Sequence, residues 1–196
     1  MAVDELLKKE FDRHRAEASV HPVVRHFGFD FVPLNHPKID DWRSVKKGVE
    51  RSDSKSGLDV FGAVDDLWVD ANGKVIVVDY KATAKASPVT QLGNLGFHNS
   101  YRRQLDIYSW LLQGQADIEV SDQAFWLYVT GRKAAEEFGG HLVFDPALIE
   151  YRPDVSWVEP FLGEVAKISA MQTAPESSAD CEQCQYRSKV DSVLRG

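Results

Sequence analysis

Apolar residues first recur at helical intervals. Val3, Leu6, Leu7 and Phe11 lie among charged neighbours, which predicts an amphipathic helix over residues 3–17. Residues 29–34 form a short β-like run closed by the turn signal Asn35-His36-Pro37. Residues 40–57 are polar and without a period, and 52–57 (Ser-Asp-Ser-Lys-Ser-Gly) read as an exposed loop. Two strand-like runs follow, 58–70 and 74–82, separated by Ala71-Asn72-Gly73; Asn-Gly between such runs predicts a hairpin. Residues 88–96 read as a loop. Asn99 and Ser100 are both acceptable N-caps for a helix running to about Gln113, ahead of Gly114. Further strands are predicted near 123–130 and 141–144, and a second long helix over about 155–171.

Within the hairpin, Val64, Trp68, Ile76 and Val78 are expected on one side and Leu67, Val69, Val75 and Val77 on the other. Both faces are then apolar, as in strands at the centre of a sheet. Helices alternating with strands predict an α/β fold with a mixed central β-sheet flanked by helices on both faces. Neither a repeat nor a linker divides the chain. Residues 1–172 read as one domain, followed by a polar tail, 173–196, that carries Cys181-Glu-Gln-Cys184.

Strands buried on both faces have no place for Asp65, Asp66, Asp79 and Lys81 unless these groups pair or bind a cation, because an unpaired buried carboxylate is strongly disfavoured. A three-residue loop at 71–73, with Gly73 left-handed, pairs Asp70 with Lys74 and sets Asp65 opposite Asp79. A two-residue Asn72-Gly73 loop would oppose Asp66 to Asp79 instead. Directly opposed side chains lie roughly 4.5–5.5 Å apart at Cβ, so two carboxylates there repel unless something positive intervenes. Lys81 is two residues beyond Asp79 and on the same side of the strand. Two acids that can hold hard divalent ions, with a lysine alongside, suit hydrolysis by an activated water. A buried Asp–Lys pair that only braces the sheet fits the same spacing.

Composition narrows the class. Of 196 residues 43% are hydrophobic and 27% charged, which excludes general disorder and a fibrous repeat. The net charge of −7, from 23 basic and 30 acidic residues, excludes a protein that coats nucleic acid through bulk positive charge. It leaves room for an enzyme with a local basic track, since metal-holding carboxylates also count as negative. No apolar run approaches the roughly 20 residues of a membrane helix, and the acidic, amphipathic N-terminus is unlike a signal peptide. Two cysteines make no disulfide framework, and the expected location is cytoplasmic.

The string Gly62-Ala-Val-Asp65-Asp66, followed by Val77-Val78-Asp79-Tyr80-Lys81 and by Gln104-Leu-Asp-Ile-Tyr108, resembles the PD-(D/E)XK nuclease superfamily. It is most similar to the branch with the RecB nuclease domain and the Cas4 proteins, which reads Gly-x-x-Asp, a hairpin, Asp-Tyr-Lys, then Gln-x-x-x-Tyr on a helix. The match covers residues 58 to about 112. It implies a restriction-endonuclease-like core and a DNA nuclease, exonuclease included, dependent on Mg²⁺ or Mn²⁺. It further implies Asp65, Asp79 and the Tyr80 carbonyl as metal ligands, Lys81 as the catalytic lysine, and Gln104 and Tyr108 facing the site. Asp66 reads as a neighbour of the ligands. Partners implied are DNA, single-stranded or at duplex ends, and proteins of DNA repair or CRISPR-type defence. A fold-sharing but inactive assembly module is the rival reading.

Two departures from that pattern stand out. The branch usually carries a histidine ligand on its first helix; alignment puts Asp4 there, with His14, His21 and His36 as competitors. Many Cas4-like members hold an iron–sulfur cluster with four cysteines, whereas this chain has Cys181 and Cys184 alone, too few for a cluster or a structural zinc. Either the protein has lost the N-terminal cysteine-bearing segment of such relatives or the sequence is a shortened form; the remnant Cys-x-x-Cys favours the second. For phosphate contacts the candidates are Arg102, Arg103 and Lys85, then Arg132 and Lys133.

Overall fold

A computed structural model describes residues 2–133, 137 and 139–195. The elements in chain order are α1 (Ala2–Glu17), α2 (Pro22–His26), β1 (Val32–Pro33), α3 (Ile39–Trp42), β2 (Val49–Asp53), β3 (Leu58–Gly62), β4 (Asp66–Val69), β5 (Val75–Lys85), α4 (Gly96–Gln113), β6 (Val120–Arg132), β7 (Phe144–Tyr151), α5 (Val158–Ser169) and α6 (Glu182–Arg195). Five strands form a sheet in the order β1-β4-β5-β6-β7, while β2 and β3 pair in a ribbon of their own. The β5–β6 pair is parallel and the other pairs are antiparallel, so the sheet is mixed as expected. No helix among the described residues is long and apolar enough to cross a membrane.

Residues 75–80 of β5 are all buried, which requires a cover on each face. On one side Phe11 of α1 and Val24 of α2 pack with Trp68, Ile76, Val78, Tyr80, Phe125 and Leu127. On the other, Leu105, Leu111 and Leu112 of α4 and Leu162 of α5 pack with Leu67, Val75, Val77 and Trp126. Val64 belongs to this second group, not with Trp68 as its parity predicts. It precedes β4 at a bend, where strand alternation does not apply.

Several boundaries differ from the sequence reading for identifiable reasons. The run 58–70 is not one strand. Its first part, β3, pairs with residues 49–53, and the chain re-enters the main sheet only at Asp66. The ribbon leaves one side to solvent, so its polar alternation in Val49-Glu-Arg-Ser-Asp53 hides a strand inside a segment that looks like loop. The connection is shorter than predicted, 54–57, closed by the Ser56 N–H donating to Asp53 Oδ2 (2.9 Å) and by Gly57 at φ 71°. Strand β7 extends well past 144 because Pro146 is tolerated on an edge strand. The tail contains helix α6, which exposes Tyr186, Val193 and Leu194.

Asp66 fastens α1 to the sheet. Its fully buried carboxylate accepts from Arg15 Nη2 (2.5 Å) and the Leu67 N–H (2.8 Å) on Oδ1, and from the Tyr80 hydroxyl (2.7 Å) and Trp68 Nε1 (3.4 Å) on Oδ2. Burial, and then the Asp66 charge, hold the Tyr80 hydroxyl well above its ordinary range, so it stays protonated and donating. Arg15 also donates to the Leu34 carbonyl at 2.5 Å, beyond the end of β1. Truncating Asp66 to Ala takes the buried partner from Arg15, which keeps only Asp12 (3.2 Å) and the Leu34 carbonyl. It also leaves the Tyr80 hydroxyl and the Trp68 indole without an acceptor. Breaking such a buried pair typically destabilises by about 3–5 kcal/mol. Urea unfolding followed by circular dichroism is expected to show a loss of that size for Asp66→Ala. A change below about 1 kcal/mol would contradict this role.

Candidate active site

The turn at 71–73 decides which acids meet. The Asp70 N–H donates to the Lys74 carbonyl (3.0 Å), Gly73 lies at φ 80°, and Asp66 pairs with Val78. This is the three-residue register, and the two-residue alternative that opposes Asp66 to Asp79 is not formed. Extending the pairing by one residue sets Asp65, at the bend before β4, across from Asp79. The Asp65 Oδ2 accepts the backbone N–H of Tyr80 at 2.9 Å. Strand alternation then sorts the polar residues: Asp66 and Tyr80 turn toward α1, Asp79 and Lys81 toward α4.

Helix α4 supplies the opposite wall. Lys81 Nζ donates to Gln104 Oε1 (3.1 Å), and Gln104 Nε2 donates to the Tyr108 hydroxyl (2.9 Å). The Tyr101 ring lies beneath the same ammonium, its centroid 4.6 Å from Nζ. Gly62 lets the helix come close, since a Cβ there would meet Tyr108 Cε1 at 2.9 Å. Asp106, inside the same Gln-x-x-x-Tyr segment, points the other way. It accepts from the Tyr151 hydroxyl (2.9 Å), Trp157 Nε1 (3.0 Å) and the Asp154 N–H (3.0 Å), fixing the rotation of α4.

Asp79 is wholly buried, and Lys81 Nζ lies 2.5 Å from its Oδ2. The ammonium is at ion-pair distance but off the hydrogen-bonding direction, so neither Asp79 oxygen is met by a well-aligned donor. Burial pushes the Asp79 carboxyl up to about 7; Lys81 pulls it down, and the Asp65 charge pushes it up again. A buried carboxylate met by a single off-axis ammonium, beside a second carboxylate, forms a hard donor set that suits Mg²⁺ or Mn²⁺. Burial likewise raises the Tyr108 hydroxyl, against the Gln104 hydrogen bond.

Asp4 lies close to this group but reaches it indirectly. Lys8 Nζ is 3.3 Å from Asp4 Oδ2 and 3.4 Å from Asp65 Oδ1. Among the described residues no three His, Cys, Asp or Glu side chains converge as a ready metal cluster. The competing histidines are engaged elsewhere. His14 bonds Ser19 (2.8 Å), His21 stacks on Phe11 (4.2 Å between centroids) with its pKa lowered to about 4 by burial, and His36 contacts Asp117 (3.1 Å) while stacking on Trp42.

Of the phosphate candidates, Arg102 donates to Asn99 Oδ1 (2.8 Å) and the Gly93 carbonyl (2.9 Å), pinning the loop before α4. Arg103 donates to Ser100 Oγ (3.2 Å), and Arg132 to both oxygens of Asp145 (2.8 and 2.5 Å). Lys85, Arg132 and Lys133 line a cleft of about 620 Å³ at the ends of β5 and β6. Cys181 and Cys184 flank the start of α6, where the Cys184 N–H lowers the Cys181 thiol pKa. Lys8 and Tyr101 escaped the sequence reading. Only the i,i+4 spacing of Asp4 and Lys8 hinted at the first.

The family model described as the PD-(D/E)XK nuclease superfamily matches residues 2–189, into the tail beyond 172. Comparisons with curated proteins and with solved structures gave no match.

Because the Asp79 pKa in the fold lies above its ordinary 3.8, the native state keeps a proton that the unfolded chain has lost between 3.8 and about 7. Asp79 therefore places no burden on stability below 3.8, and stability falls as pH rises through that window. In EDTA, Asp79→Asn is expected to unfold at higher urea than the parent at pH 8 and near the parent's midpoint at pH 4. Equal midpoints at pH 8 would show that Asp79 is not held against its charge.

Proposed function

The chain belongs to the PD-(D/E)XK nuclease superfamily, and from that premise we propose a divalent-metal-dependent DNA nuclease of the RecB/Cas4-like kind. A nucleic-acid substrate and phosphodiester hydrolysis follow from membership; DNA, the branch and an active site at Asp65, Asp79, Lys81, Gln104 and Tyr108 are the proposal. The observation that carries it is the buried Asp79 carboxylate, lacking an aligned donor while facing Asp65, Lys81 and Gln104. A carboxylate kept only as a structural brace would be expected to resemble Asp66, whose oxygens accept four hydrogen bonds.

Asp65 and Asp79, with the Tyr80 carbonyl between Asp79 and Lys81, would hold Mg²⁺ or Mn²⁺, and Asp4 could join them. The ion supplies neutralising charge at the phosphate and acidifies water. Lys81 presents a fixed positive charge on the same strand face, suited to stabilise negative charge gathering on the phosphate oxygens. Gln104 holds the Lys81 ammonium through its carbonyl oxygen, and the Tyr108 hydroxyl holds the Gln104 amide in that orientation. The Tyr101 ring packs against the ammonium and the Lys81 side chain is only 17% exposed, which strengthens its field.

The test is a cleavage panel of linear and circular DNA, single- and double-stranded, with RNA as control, in Mg²⁺, Mn²⁺ or EDTA. DNA cleavage is expected with either metal and none in EDTA. Asp79→Ala and Lys81→Ala are each expected to lower kcat by roughly 10²–10³-fold or more while DNA binding persists, because both act mainly on the transition state. Cleavage that survives Asp79→Ala in EDTA would refute the mechanism. DNA binding without cleavage in any metal would favour the assembly-module reading.

A further inference from the structure

Helix α1 has one inward stripe, Asp4, Lys8, Phe11 and Arg15, at the spacing of a single helix face. Phe11 is wholly buried, and Arg15 is locked onto Asp66 and the Leu34 carbonyl. Lys8 is thus carried on the anchored side of the helix, with its side chain 23% exposed, and not on the solvated side where Lys9 lies. Its ammonium stands between Asp4 Oδ2 and Asp65 Oδ1. Among the described residues no second lysine or arginine pairs with either carboxylate. Asp65 faces two ways: Oδ2 is bound to the Tyr80 N–H, and Oδ1, the oxygen left for a ligand, is the one Lys8 occupies.

We propose that Lys8 is a built-in counter-cation that competes with the divalent ion for the Asp4–Asp65 edge of the site and so sets its metal affinity. This rests on the metal-site reading above. While the ammonium stays between the two acids it neutralises their repulsion and keeps Asp4 from direct coordination. For a divalent ion to use Asp65 Oδ1, Lys8 must swing outward. Its flexible stem and partial exposure allow that without moving α1, whose anchors lie further along the helix at Phe11 and Arg15. Metal binding is therefore weakened by the ion pairs it has to break.

The experiment is a Mn²⁺ titration by calorimetry on the full chain and on Lys8→Met, Lys8→Arg and Lys9→Met. Two ion pairs about a quarter exposed predict that Lys8→Met binds Mn²⁺ roughly three- to tenfold tighter than the parent. Lys8→Arg, which keeps the charge, is expected within about twofold of the parent, as is Lys9→Met, which removes an equal charge one residue away. Unchanged or weaker binding by Lys8→Met overturns the proposal while leaving the metal site standing. Equal tightening by Lys9→Met also overturns it, assigning the effect to net charge. A parent chain that binds no Mn²⁺ at all overturns the metal-site reading and this proposal together.

Discussion

A carboxylate at the centre of a sheet has to be met by positive charge or by donors, and the β4–β5 hairpin carries that demand twice. On the α1 side Asp66 meets it fully, with an arginine, a tyrosine hydroxyl, an indole and a backbone N–H. On the α4 side Asp79 meets it only in part, through an ammonium at close range but off axis. The two faces of one hairpin thus divide the labour. One residue ties the first helix to the sheet, and its counterpart across the pleat is left with capacity for a ligand. Adjacent aspartates, 65 and 66, end with different roles. Asp66 starts β4 and is closed off by four donors, while Asp65 sits at the bend before it and, among the described residues, accepts only the Tyr80 N–H and Lys8.

The neighbouring elements can be understood through this division. Arg15 and Phe11 hold α1 so that its first turns lie near Asp65, and Asp106 holds α4 so that Gln104 and Tyr108 face Lys81. Gly62 takes part by what it lacks, since a side chain there would push Tyr108 away. Each wall of the site is fixed by a buried polar anchor on its helix: Arg15 on the same face of α1 as Lys8, and Asp106 on the side of α4 away from the site. Such anchors favour one geometry over slippage, as expected where a lysine must be held in place.

Much of this is legible in the linear pattern. The hairpin is legible from Asn72-Gly73 and the mixed sheet from the order of elements, but turn chemistry alone leaves two registers. The Asp70–Lys74 pair is what selects the one that opposes Asp65 to Asp79. The ribbon of β2 and β3 is not legible, because a two-stranded element with a solvated face reads like loop. The roles of Asp106 and Arg15 are hidden too: each is a charged residue in a helix, and only the tertiary partner tells an anchor from a solvated side chain. The same holds for Arg102 and Arg132, whose sequence context suggests phosphate contact while their guanidinium groups are spent on a loop carbonyl and on Asp145. Lys8 is the sharpest case. Nothing in the amphipathic pattern of α1 separates it from Lys9, yet one faces the acids and the other faces water.

The central claim is that burial keeps Asp79 from charging freely until a cation arrives. The direct measurement is the heat of Mn²⁺ binding to the full chain at pH 7 in two buffers of different ionisation enthalpy. With the Asp79 pKa near 7, binding is expected to release a fraction of a proton per ion, seen as a buffer-dependent heat that disappears in Asp79→Asn. Binding with a buffer-independent heat, or undiminished affinity in Asp79→Asn, would contradict it.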